Sequence, residues 1–169
     1  MNMQYIINEL ERNASVFSQM LEGVQKEVYA WKPVPERWSL LEIVCHLQDE
    51  EREDFRARLK HVLENPDLSL PPIDPPGWVT VRNYAGQDYE TMVKKFIDER
   101  NESVKWLRSL TNPPLENQHM HSKFGAMSGN LFLSNWLAHD YLHMRQVLKL
   151  KFDYLKNSTG ESLNYAGEW

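Results

Sequence analysis

Six histidines stand at positions 46, 61, 119, 121, 139 and 143, and two of them, His139 and His143, are four residues apart in a stretch of helical periodicity. On a helix that spacing stacks both imidazoles on one face, about 5 to 6 Å apart, within reach of a single ion. Two imidazoles on an apolar helix need partners for four ring nitrogens, and a divalent metal, a carboxylate or a backbone group can each supply one. A third donor distinguishes the metal from the others. His46 is the natural candidate, at the edge of an Ile43, Leu47 face in a second amphipathic stretch, although a lone histidine there also serves as an ordinary core or rim residue. Three protein ligands with positions left open for water are what a catalytic zinc, nickel or iron site requires.

Other groups could assist such a centre. Glu50 follows His46 by four residues, where a carboxylate can orient a water, act as base, or simply belong to the solvated charge run from Asp49 to Arg58. Arg100 occupies a core-facing heptad position between Phe96 and Ser103, so it either binds an anionic substrate near the site or runs its stem to the rim. Asp140 and Gln146 flank the histidine pair and could fix ring tautomers, but Asp140 is turned about 100° from His139 and reads as a surface acid. His119 and His121 alternate in a loop and read as surface residues. Cys45 points about 100° away from His46 around the helix and reads as packing rather than as a nucleophile.

The elements that must position these groups are helices. Met3, Ile7, Leu10, Ala14, Phe17, Leu21 and Val24 keep a four-and-three spacing that specifies one long amphipathic helix. Trp31 to Trp38, with two prolines and no periodicity, is an ordered connector whose tryptophans plug the bundle end. Ser39 and Glu42 have capping-box spacing and open a second helix, which Asn65-Pro66 stops near Glu64. A proline-rich surface loop follows. The third helix starts from Asp88 as N-cap and ends before Asn112-Pro113-Pro114. The fourth runs from Ser128 through Leu150, is apolar almost all round, and should be the most buried. Residues 115 to 127 and the tail from Phe152 to Trp169 read as loop with short extended or 3₁₀ pieces. The expected fold is all-α, a four-helix bundle with at least one long crossover, as one domain spanning residues 1–169.

Composition narrows the function. The chain has 169 residues, 19 basic and 24 acidic, for a net charge of -5, which disfavours nucleic acid as the main partner. One cysteine rules out an intrachain disulfide and a thiolate-rich metal site and fits a reducing, cytoplasmic setting. Neither a signal-peptide pattern nor an apolar run near the roughly 20 residues of a membrane helix is present.

The stretch Trp38-Ser-Leu-Leu-Glu-Ile-Val-Cys-His46-Leu, together with His139-Asp-Tyr-Leu-His143-Met-Arg-Gln146, resembles the W-S-x-x-E-x-x-x-H-L run and C-terminal H-x-x-x-H with a following Gln of the DinB/YfiT-like superfamily. The resemblance covers roughly residues 3 to 150. It implies a DinB-type four-helix bundle whose two motif helices face one another, with His46, His139 and His143 as ligands of a divalent transition metal, zinc or nickel foremost. Characterised members resemble transferases and isomerases that use low-molecular-weight thiols. No thiol-binding motif is visible in this chain, so the ligand set permits either a metal-activated thiol or a metal-activated water, acting on a small-molecule substrate. Membership also makes a homodimer plausible, though no sequence feature requires one. A diiron ferritin-like site is excluded by spacing, since it needs Glu-x-x-His on two helices and no glutamate stands three before any of the three histidines. The rival from another class is a metal-stabilised or metal-free homodimeric binding module without catalysis, pairing through the first helix and the proline loop; the two differ in whether the coordination sphere is open.

Overall fold

The computed structural model describes residues 2–167. Seven helices are labelled in chain order: α1 (Met3–Leu21), α2 (Lys26–Tyr29), α3 (Leu40–Asp49), α4 (Ala57–Glu64), α5 (Pro75–Val81), α6 (Tyr89–Ser109) and α7 (Gly129–Thr159). The segment Glu50–Arg56 joins α3 to α4 as a π-helical turn, so the three form one rod.

Each long helix starts where its cap residue dictates. The Ser39 hydroxyl accepts from the Glu42 N–H at 3.3 Å, and the Glu42 carboxylate accepts from the Ser39 N–H at 2.7 Å, completing the capping box. The side chains of Asp88 and Ser128 accept from the Thr91 and Leu131 N–H groups at the starts of α6 and α7. α7 runs past Leu150 and stops at Thr159, where Gly160 takes a left-handed φ of +68°. The part of the expected loop from Phe152 to Thr159 is therefore two further turns of helix, while residues 160–167 are irregular with a 3₁₀ turn at Asn164–Ala166, as expected; Met1, and Glu168 and Trp169 at the end of that tail, lie outside the described residues.

Two apolar clusters show how the rods run. One unites Phe17 and Leu21 with Leu40, Ile43, Tyr89, Phe96, Val147 and Leu150. The other unites Ile6 and Leu10 with Leu59, Val62, Val104, Leu107, Phe132 and Trp136. Taking the first cluster as the top, α1 and α7 run up while the α3–α4 rod and α6 run down. α1 packs against α6 and α7, and the α3–α4 rod packs against the same two helices. The connection from α4 at the bottom to α6 at the top is the long crossover expected from the prolines; it carries the short helix α5, which Asp74 caps.

Between the clusters lies a polar layer at mid-height: Asn13 of α1, Glu50 and Glu51 of the π turn, Arg100 of α6, and His139 and Asp140 of α7. All but His139 are under 9% exposed. Three expectations give way here. The run from Asp49 to Arg58 is not simply solvated, since Asp49, Glu50 and Glu51 are all buried. Asp140 is a core acid rather than a surface one, at 0% exposure. α7 is not buried all round, for Leu131, Tyr141, Leu142 and Leu148 face outward. Residues 118–128, expected as loop with extended pieces, form an antiparallel hairpin of β1 (Gln118–His121) and β2 (Gly125–Ser128).

Candidate metal centre

His46 projects from α3, and His139 and His143 from α7, toward one another across the interface of the two helices. The ligand atoms of the three fall within 4.8 Å of one another. Nε2 of His139 and Nε2 of His143 are 3.0 Å apart. Two nitrogens bound side by side to one ion at about 2.0 to 2.1 Å stand about 3 to 3.4 Å apart, for angles from square to tetrahedral, so this pair is spaced as two ligands of one metal. Trp38 lays its ring 4.8 Å from that of His46, and Phe55 lies 4.9 Å from His139, so aromatic faces wall the cluster.

Electrostatics keep the three rings neutral. Burial, then the charge of neighbouring histidines, lowers His46 to about 3 and His139 to about 2, with Arg100 adding to the latter. Burial lowers His143 to about 4 against an opposing effect of the Gln146 side chain. Neutral imidazoles with free lone pairs are the form that binds metal. Nδ1 of His46 and Nδ1 of His143 are buried without a hydrogen-bond partner, and orphaned nitrogens in a dry site carry an energetic penalty. The Glu50 carboxylate stands 4.0 Å from His46 Nδ1, beside the cluster but beyond hydrogen-bond distance of the ring. The donor set therefore fits a divalent transition ion.

Glu50 is 5% exposed. Burial, reinforced by the adjacent Asp54, raises its carboxyl to about 8, against the pull of Arg58. It is a group able to hold or release a proton near neutrality.

Arg100 is placed otherwise than a substrate-binding role requires. Its Nε and Nη2 donate to Glu51 at 2.9 and 2.8 Å, Nη2 and Nη1 donate to Asp140 at 2.6 and 2.7 Å, and Nη1 donates to the Leu10 carbonyl at 3.3 Å. All five N–H donors are used and the side chain is 1% exposed, so it offers nothing to an incoming anion. Burial alone would lower its pKa, but the Glu51 and Asp140 carboxylates more than reverse that, so it stays firmly charged. Asn13 donates to Asp140 at 2.9 Å and Trp136 Nε1 to Glu51 at 2.9 Å, completing a clamp that ties all four rods together. Asp140 stands three residues before His143, but its carboxylate turns to Arg100 and Asn13, away from a shared ion.

Consecutive residues of the π turn serve both sites. In a regular helix Glu50 and Glu51 would diverge by about 100°. At the start of that turn Glu50 lies beside His46 and Glu51 pairs with Arg100, and π-bulges recur at functional sites. Sequence reasoning missed Glu51, Asp140 and Asn13 as clamp members; the charge of Arg100 at a core position was the signal, since a buried guanidinium demands buried acids. Cys45 is packed as expected, with burial pushing its thiol up to about 12. His119 and His121 lie on the hairpin, apart from the cluster: His119 meets the Pro66 carbonyl, and His121 accepts from the Lys123 and Phe124 N–H groups.

Three comparisons bear on this arrangement. The family model described as the DinB superfamily matches residues 9–147. Among solved structures, the chain is similar to YfiT from Bacillus subtilis, described as a probable metal-dependent hydrolase with an unusual four-helix bundle topology. The TM-score is 0.78 and the identity 17%, over 95% of this chain and 89% of that one. No curated protein matches.

Proposed function

Because the chain belongs to the DinB superfamily, we propose that it is a metal-dependent enzyme acting on a small molecule, with His46, His139 and His143 holding one divalent transition ion, zinc or nickel. The observation that carries this reading is the convergence of three neutral imidazoles, one buried and two half-buried, with ligand atoms within 4.8 Å of one another, beside a carboxyl poised near neutrality. An ion bound there supplies Lewis acidity, bringing a water, or the thiol of a small cosubstrate, toward its deprotonated form near neutral pH. The reaction is hydrolysis in the first case and S-transfer in the second. The description of YfiT as a probable metal-dependent hydrolase supports the first.

The protein's own groups do the rest. The histidines fix the reacting end of the site, and Trp38 and Phe55 exclude water from one side. Glu50 takes the proton released by the nucleophile; an added cation nearby favours its ionised form, which is the form that accepts. Asp54 and Arg58 behind it set that balance. The enzyme would work in the cytoplasm, as its single thiol suits; no helix among the described residues is long and apolar enough to cross a membrane. A homodimer would leave the site complete within each chain.

Elemental analysis by mass spectrometry tests the reading, with wild type compared to His46→Ala and to His139→Ala/His143→Ala after identical dialysis. One transition ion per chain, lost in both variants, is the expected result. Absence of metal from wild type even after reconstitution overturns it and leaves the non-catalytic binding module.

A further inference from the structure

The histidine cluster opens on one side into a cavity of about 840 Å³ between the Trp31–Trp38 connector and α7. His143 lines it at the metal end and Trp38 forms an aromatic wall. Its charged groups are Arg37, Arg145, Lys149 and Asp153. Lys149 is ion-paired to Asp153 one turn further along α7, so those two cancel. Arg37 and Arg145 make no ion pair among the described residues, and both are exposed. Two unmatched guanidinium groups thus face one cavity in a chain whose net charge is -5. The other arginines with access to acids use them: Arg52, Arg56, Arg58, Arg82 and Arg108 are all ion-paired.

We infer that the substrate, or cosubstrate, of this site is a small organic anion bearing a carboxylate, whose acid group is held by Arg37 and Arg145 while its reactive end lies beside His143. This rests on the proposed metal-dependent activity and adds the class of molecule. Guanidinium is suited to the role because its planar fork matches a carboxylate and stays charged at every working pH. The two arginines come from different elements, one from the connector and one from α7, two residues beyond the ligand His143. An anion held by both lies in the same cavity that His143 lines. The apolar and aromatic wall suits the carbon skeleton between the two ends.

The test has two arms. In the first, metal-free protein is titrated calorimetrically with 3-phenylpropionate and with 3-phenylpropanol, which differ in the acid group. Wild type should bind the carboxylate at least tenfold more tightly, and Arg37→Gln/Arg145→Gln should bind both alike. Equal affinities in wild type, or a preference that survives in the variant, overturn the inference. In the second arm the protein is loaded with cobalt(II), and thiolate coordination is followed by its charge-transfer absorption with 3-mercaptopropionate, 2-mercaptoethanol and cysteamine. The expected order of affinity is anion, neutral, cation, collapsing in the same variant without change in cobalt content. A carboxylate preference in the first arm with no absorption band from any thiol in the second removes the thiol from the reaction and leaves the anion subsite standing, while failure of the protein to hold cobalt at all overturns the metal reading. Bands of equal affinity for all three thiols leave the metal reading standing and overturn the anion subsite.

Discussion

Replacing Arg100 by methionine removes the only cation among the buried groups of the clamp and leaves Glu51 and Asp140, 2% and 0% exposed, facing each other without compensation. Methionine fills much of the volume, so the lost term is electrostatic rather than a cavity. Breaking a buried pair by deleting one partner costs about 3 to 5 kcal/mol. In a chain of this size each kcal/mol shifts the melting midpoint by about 2 to 4 °C, so a fall of about 6 to 20 °C is expected. Urea unfolding followed by tryptophan fluorescence, at fixed pH and without metal, gives the free-energy difference directly. The deficit should shrink as pH is lowered, because the stranded carboxylates bind protons more tightly in the folded than in the unfolded variant. Adding Glu51→Gln and Asp140→Asn should recover part of the loss by removing the stranded charge. A variant within about 1 kcal/mol of wild type would refute the reasoning, since that is the range of an exposed pair.

Further expectations concern the histidines, the base, the cap and the thiol. His46, His139 and His143 are held at about 3, 2 and 4, below their ordinary value near 6.5. The unfolded chain therefore takes up three protons that the folded chain refuses, whereas Glu50, raised to about 8, keeps one that the unfolded chain releases above about pH 4.5; the three outweigh the one, so metal-free stability is greatest near pH 6.5 and falls as pH drops toward 5, and urea midpoints that stay constant between pH 6.5 and 5 would contradict this. Glu50→Gln should retain metal but lose about 100-fold or more in kcat once a substrate is found, and the pH profile should lose the limb its carboxyl provides; unchanged turnover would remove Glu50 from the mechanism. Ser39→Ala should cost about 1 kcal/mol by opening the capping box, read from denaturant midpoints. Cys45 should resist iodoacetamide at pH 8 in the native protein and react only after unfolding, as its burial and raised thiol require; rapid native alkylation would contradict that placement.

The bundle was legible because its signals are local: Ser39 with Glu42, Asp88, Ser128, and the prolines that end the second and third helices each act within one turn. The histidine trio was legible through spacing and the family pattern, which together brought residues 93 positions apart to one place. What sequence reading could not reach depends on rotation around a helix. Glu50 and Glu51 look like any solvated acidic pair, yet both are buried at the start of the π turn. Asp140 looks like a surface acid because the angle that turns it from His139 points it at Arg100, and the partner across the bundle is invisible from one helix alone. α7 seemed buried all round because its outward leucines have the same composition as its inward ones.

The mid-height polar layer has a consequence for alignment. In an all-apolar bundle a rod can slide by a heptad along its neighbours at small cost, since leucine meets leucine again. Here a slide of any one rod would carry a charge of the clamp into one of the two apolar clusters, where nothing answers it. The layer thus acts as a vernier that admits a single axial setting of the four rods, and His46 and the α7 pair, fixed at the same height, inherit that setting. Drift in the leucines above and below can then proceed without moving the site, while Asn13, Glu51, Arg100 and Asp140 can change only together.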